Sequence, residues 1–228
     1  MEQNEIEKKR LINAIEFLVF AYWGFCFNDG YGDDLDTMLT KIVNKAYNDA
    51  AGQGAFNALI KKEETDLRRK ADEAKEKAKK TVKESLKAFE GNDYRQWHED
   101  TCGKVKKCFS DRIKDDNVLW SYGNSQKLVN MSVKYLITAT YIFKSIGQPE
   151  KTKELCDIGD KFISVIGELD IPVDSYIIEA SKERLKEGCS KWCKNQYDSF
   201  EKTIKEKYNP ETPFDWEGPA WIKIAKNR

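Results

Sequence analysis

The sequence predicts an all-α protein, folded as a single compact multi-helix domain or as two helical subdomains with a cleft between them. Three observations carry this. Apolar residues recur at three- and four-residue steps along most of the chain, Gly, Asn, Asp and Pro clusters punctuate those runs, and no stretch keeps the two-residue alternation of a strand more strongly. The 228 residues suffice for one sizeable core, and an aromatic content of 12% supplies large apolar side chains although 34% of residues are charged.

The first helix is expected over residues 5 to 27, where Ile6, Leu11, Ile15, Leu18, Val19 and Tyr22 share one face, before the turn cluster Asn28-Asp29-Gly30. The apolar run from Phe17 to Phe27 is about half the ~20 residues that a membrane span needs, so it reads as a core helix. With no leader pattern, and six cysteines scattered along the chain, a cytoplasmic protein with reduced thiols and no membrane partner is expected.

A second helix follows Asp33-Asp34 through Met38, Leu39, Ile42, Val43, Ala46 and Tyr47, until Gly52 and Gly54 loosen the chain. From Phe56 to Phe89 the Ala, Glu and Lys content and pairs such as Glu73 and Lys77 predict a long charged helix. A mixed segment after Gly91-Asn92-Asp93 holds the sole histidine, His98, which reads as packed or exposed, not catalytic. Helical period returns from Gln126 to Phe143 and closes at Gly147-Gln148-Pro149. Further helices are expected over Glu150 to Gly167, Ser175 to Leu185 and Lys191 to Lys207, the last with Trp192 and Cys193 on its apolar stripe. The Pro- and Trp-rich tail from Pro210 to Trp221 reads as an irregular strap. The chain thus divides into an N-terminal helical region, 1–115, and a second half, 116–228.

Thirty-nine basic residues balance 39 acidic ones, which weakens the simple electrostatic case for nucleic acid. The balance is uneven, however. Between Lys61 and Lys114 there are 17 basic and 12 acidic residues, so a basic face remains open. The spacings Cys102-x5-Cys108 and Cys189-x3-Cys193 do not fit a zinc knuckle, and neither a metal nor a cofactor is expected.

Two features carry candidate chemistry: Tyr122-Gly123-Asn124-Ser125-Gln126-Lys127 before one apolar helix, and Ile171-Pro172-Val173-Asp174 before another. A turn at Gly123 followed by a helix N-terminus offers backbone N–H groups to a phosphate. Lys127 falls in the expected first turn, where the dipole and apolar neighbours favour a neutral, nucleophilic amine. Asp174 can stabilise positive charge that develops on a reacting sugar. Each residue also has an ordinary reading: Asp174 as an N-cap and Lys127 as an exposed lysine.

Gly123-x3-Lys127 with its following helix, and then Pro172-Val173-Asp174 opening another, resembles the helix-hairpin-helix-GPD DNA glycosylases, in particular their 8-oxoguanine branch. The resemblance covers roughly residues 117 to 187. It departs from the family in having one hairpin glycine and a longer interval between the two catalytic positions. It implies a base-excision enzyme with Lys127 as Schiff-base nucleophile, Asp174 as second catalytic residue, and Gly123, Asn124, Ser125 and Gln126 clamping double-stranded DNA with the target base flipped out. Such an enzyme would serve DNA repair or phage defence, with or without abasic-site lyase activity. The competing expectation is a non-enzymatic helical module that binds protein or nucleic acid through the charged helix from Lys61 to Ala88.

Overall fold

The computed structural model describes residues 3–28, 30–51, 65–110, 120–183, 188–207 and 212–227. Among them the chain forms nine α-helices and no strand, packed in one domain. They are α1 (Gln3–Trp23), α2 (Leu35–Ala51), α3 (Thr65–Ala88), α4 (Tyr94–Ser110), α5 (Tyr122–Ser145), α6 (Lys153–Ile163), α7 (Ser175–Ser181), α8 (Lys194–Lys207) and α9 (Pro213–Ala225). No helix among the described residues is long and apolar enough to cross a membrane.

The centre is α5, with α2, α4 and α6 packed around it. Its apolar residues extend around most of the helix, and Leu128, Val129, Leu136, Ile137, Ala139 and Phe143 are all fully enclosed. Ser121 caps it, accepting from the Asn124 amide at 3.1 Å. Likewise Asp34 starts α2 by accepting from the Thr37 amide at 2.7 Å.

Helix α3 shows how a strongly charged segment still folds onto a core. Ala71, Ala74, Ala78, Val82 and Leu86 form its buried stripe, and the small alanines let it lie close to α2 and α4. Its outward charges pair among themselves, Arg69 with Asp66 and Glu73 at 2.8 and 2.7 Å and Lys79 with Glu76 at 2.8 Å, while Lys83 and Lys87 both reach Asp36 of α2. Nine basic residues of α3 stand against five acidic ones, so pairing neutralises the expected basic stripe only in part. The expected residues 56–64 of this helix lie outside the described residues, as do Gly52 and Gly54.

Three expectations are corrected. The run from Phe17 to Phe27 is not one core helix: α1 ends at Trp23, Gly24 turns the chain at φ +80°, and Phe25 and Phe27 enter the core from the following segment. Residues 189–193 are not part of α8. They form a short turn and an extended stretch, in which Trp192 is buried and Cys193 exposed. The tail is not an irregular strap either, because Thr212 caps a helix whose first residue is Pro213, where a missing N–H costs nothing.

His98 is enclosed between Tyr94 and Tyr197, with its Nδ1 3.5 Å from Asp170. Burial lowers its pKa, against the pull of Asp170, so the ring is a packed core group.

Candidate functional site

The segment 169–174 crosses α5 in extended form, and its placement begins with two amide side chains. Asn130 Nδ2 donates to the Ile171 carbonyl at 2.8 Å and to the Tyr197 hydroxyl at 2.8 Å. Gln126 Nε2 donates to the Gly123 carbonyl at 2.9 Å and reaches the Val173 carbonyl at 3.5 Å. Ile171 and Val173 fill the core below, and Asp174 emerges at the start of α7. Its Oδ1 accepts from the Tyr176 and Ile177 amides at 2.9 and 3.0 Å, which fixes the carboxylate.

Asp174 Oδ2 then faces outward, 3.1 Å from the Trp221 indole nitrogen of α9 and 3.8 Å from Lys127 Nζ. Thus the two residues singled out from sequence meet in one cleft. This cleft holds about 370 Å³, and its walls are Tyr22, Asp49, Lys127, Met131, Lys134, Tyr135, Pro172, Asp174, Glu217 and Trp221. Lys127, Met131 and Lys134 form one stripe of α5, and Glu217 and Trp221 are one turn apart on α9.

Five further polar side chains shape the electrostatics. Lys134 donates to Glu217, which is almost wholly buried, and Tyr135 donates its hydroxyl to Asp49. Burial raises the Glu217 pKa, opposed by Lys134 and reinforced by the charge of Asp174. Burial and then Asp49 raise the pKa of Tyr135. Lys45 stands 3.1 Å from Asp49 and 4.7 Å from the centre of the Tyr22 ring. Acids and bases nearly cancel, so the cleft is a polar site with aromatic walls, not a cationic channel.

The residues expected to clamp phosphate do something else. Gly123, Ser125 and Gln126 are buried, and only Asn124 of the four is partly accessible. The chain is already helical at Tyr122, so Lys127 stands in the second turn, not the first. The Gly123 amide donates to the Trp192 carbonyl at 3.1 Å and the Ser125 amide to the Ser121 carbonyl at 3.3 Å. A Cβ at position 123 would lie 1.8 Å from the Cys189 carbonyl oxygen. Glycine is needed there for close approach of the 188–192 segment, and the anion site expected at this turn is replaced by an internal contact.

Sequence reasoning missed Lys134, Tyr135, Asp49 and Glu217, and had Trp221 only as one of seven aromatics open to a base pocket. The i, i+4, i+7 spacing of Lys127, Met131 and Lys134 was a usable signal for one of them, because it puts Lys134 on the same face as Lys127. Glu217-x3-Trp221 becomes a signal only once the tail is known to be helical. Chemically, a lysine amine beside a fixed carboxylate can add to a carbonyl or sugar C1′ while the carboxylate accepts or returns the proton. Comparison with protein-family models, with curated proteins and with solved structures finds no match to this chain, so the reading of the site rests on its geometry.

Proposed function

We propose that the cleft is a Schiff-base site acting on the deoxyribose of DNA, excising a modified base or opening an abasic site. The observation that carries this is the approach of Lys127 Nζ to within 3.8 Å of Asp174, in a cleft that also presents aromatic faces. In base excision the C1′–N bond to the base breaks with its electron pair leaving on the base, Lys127 Nζ forms the new bond to C1′, and the C1′–O4′ bond then opens, with a proton taken up at O4′, to leave the Schiff base. Asp174 stabilises positive charge on the sugar and takes up the amine proton. The volume lies within the ~300–1,000 Å³ of small-ligand pockets, the scale of one extruded nucleotide. The departing base takes its proton from water, since Glu217 in the same cleft is paired with Lys134.

A second reading is favoured by one observation. The amides of Gly123 and Ser125 are spent internally and the cleft wall sets three carboxylates against two lysines, which suits a small polar aromatic ligand bound without covalent chemistry. Borohydride trapping decides between them. Wild type and Lys127→Ala are incubated with duplex oligonucleotides carrying 8-oxoguanine or an abasic site. The enzyme reading predicts a covalent adduct with wild type that is lost in the variant, and absence of adduct on both duplexes would sink it.

A further inference from the structure

Among the described residues, the outward face of α1 is apolar and uncovered. Leu11 is 54% exposed, Phe17 70%, Leu18 63% and Tyr22 48%, and Ala14 and Ala21 are exposed between them. Leu11, Ala14, Leu18 and Ala21 recur at steps of three, four and three residues, the spacing of a helix-pairing seam. The opposite face of the helix carries Val19 and Trp23 into the core, so this seam is surplus to the fold.

We propose that this face pairs with the same face of a second copy of the chain, antiparallel about a two-fold axis near residue 16. The seam is self-complementary in that arrangement alone. Antiparallel pairing sets Leu11 against Ala21 and Leu18 against Ala14, so every layer joins a large side chain to a small one. The alanines allow the axes to approach to about 8 Å. Phe17 meets the partner's Phe17 across the axis. The last turn of α1 has no basic residue of its own, and the partner's Arg10 arrives beside it.

The area suffices. The exposed parts of these side chains bury roughly 600 Å² per copy, hence about 1,200 Å² in all, the lower bound for a specific interface. The seam also adjoins the cleft, because Tyr22 belongs to both. The inference does not depend on the chemistry assigned to Lys127.

Sedimentation equilibrium from about 1 to 100 µM tests it. Wild type is expected to dimerise with a Kd of about 1–10 µM, and Leu18→Glu to weaken association at least about a hundredfold with unchanged thermal unfolding at low concentration. In a Cys193→Ser background, mixed Leu11→Cys and Ala21→Cys chains should oxidise to the heterodimer in preference to either homodimer. A wild type monomeric at 100 µM overturns the proposal, and flotation of that monomer with phosphatidylserine vesicles would assign the face to lipid instead. A dimer indifferent to Leu18→Glu, or Leu11→Cys joining chiefly to itself, overturns it equally.

Discussion

Asp174 holds two positions at once, and replacing it by alanine and by asparagine separates them. Alanine removes the acceptor of the Tyr176 and Ile177 amides, at 2.9 and 3.0 Å, a cap whose loss costs about 1–2 kcal/mol. It also removes the 3.8 Å pair with Lys127, in which both side chains are about one-fifth exposed, for another ~0.5 kcal/mol. The total, about 2 kcal/mol, lowers the melting temperature of a 228-residue chain by roughly 4–8 °C. Asparagine keeps the amide-accepting oxygen, loses the charge and sets an NH2 where Oδ2 accepts from the Trp221 indole, so its cost is about 1 kcal/mol. Thermal unfolding by circular dichroism reads both. In the trapping assay the two variants should behave alike, each losing adduct by about a hundredfold or more, because only the charge serves the sugar. Asparagine as destabilising as alanine, or alanine as stable as wild type, would refute the assignment of the cap. Asparagine retaining full trapping would refute the assignment of the charge.

Other variants probe the surroundings. Gly123→Ala forces a methyl to within 1.8 Å of the Cys189 carbonyl and should cost about 3 kcal/mol in denaturant unfolding; a neutral outcome would mean the 188–192 segment is not held there. Lys134→Met strips the buried Glu217 of its counter-charge. Lys134 lowers the Glu217 pKa against the larger effect of burial, so its removal raises that pKa further and the loss should grow as pH rises above about 4.5; a destabilisation independent of pH would contradict the pairing. Glu201 is buried near Asp170 and Lys205, with a pKa raised well above its ordinary value by burial and then by Asp170. The folded state therefore holds a proton that the unfolded state releases, and stability falls as pH rises above about 4.5. His98, lowered by burial, contributes the opposite slope below about 6.5, so Glu201→Gln should flatten the decline most clearly above that pH in urea titrations.

The sequence made the central helices legible and left the surface ones obscure, for a physical reason. In α5 and α2 the buried stripe and the caps at Ser121 and Asp34 are local signals, and local signals set those helices. Residues Phe17 to Tyr22 of α1 are equally apolar, but packing admits only one side of that helix, and no local pattern says which apolar face is left out. The tail was misread because Pro219 and the tryptophans suggested irregularity. The cap Thr212, the N1 proline and Asp215 were the stronger signals. For the site, Lys127 and Asp174 stood out through the residues that flank them, whereas Asp49 and Glu217 come from helices at opposite ends of the chain. Only tertiary packing joins those two to the cleft, and no spacing in the sequence encodes it. Gly123 and Gln126 were legible as special positions, yet their partners proved to be Cys189, Trp192 and Val173, not a phosphate.

The most direct test of the proposed chemistry is to locate the trapped sugar. Lys127 and Lys134 both line the cleft, so an adduct alone does not say which amine attacked. After borohydride reduction on an abasic duplex and nuclease trimming, proteolysis and tandem mass spectrometry should find the added mass on Lys127 alone. Adducts on Lys134, or spread over surface lysines, would contradict the assignment of Lys127 as the nucleophile held beside Asp174.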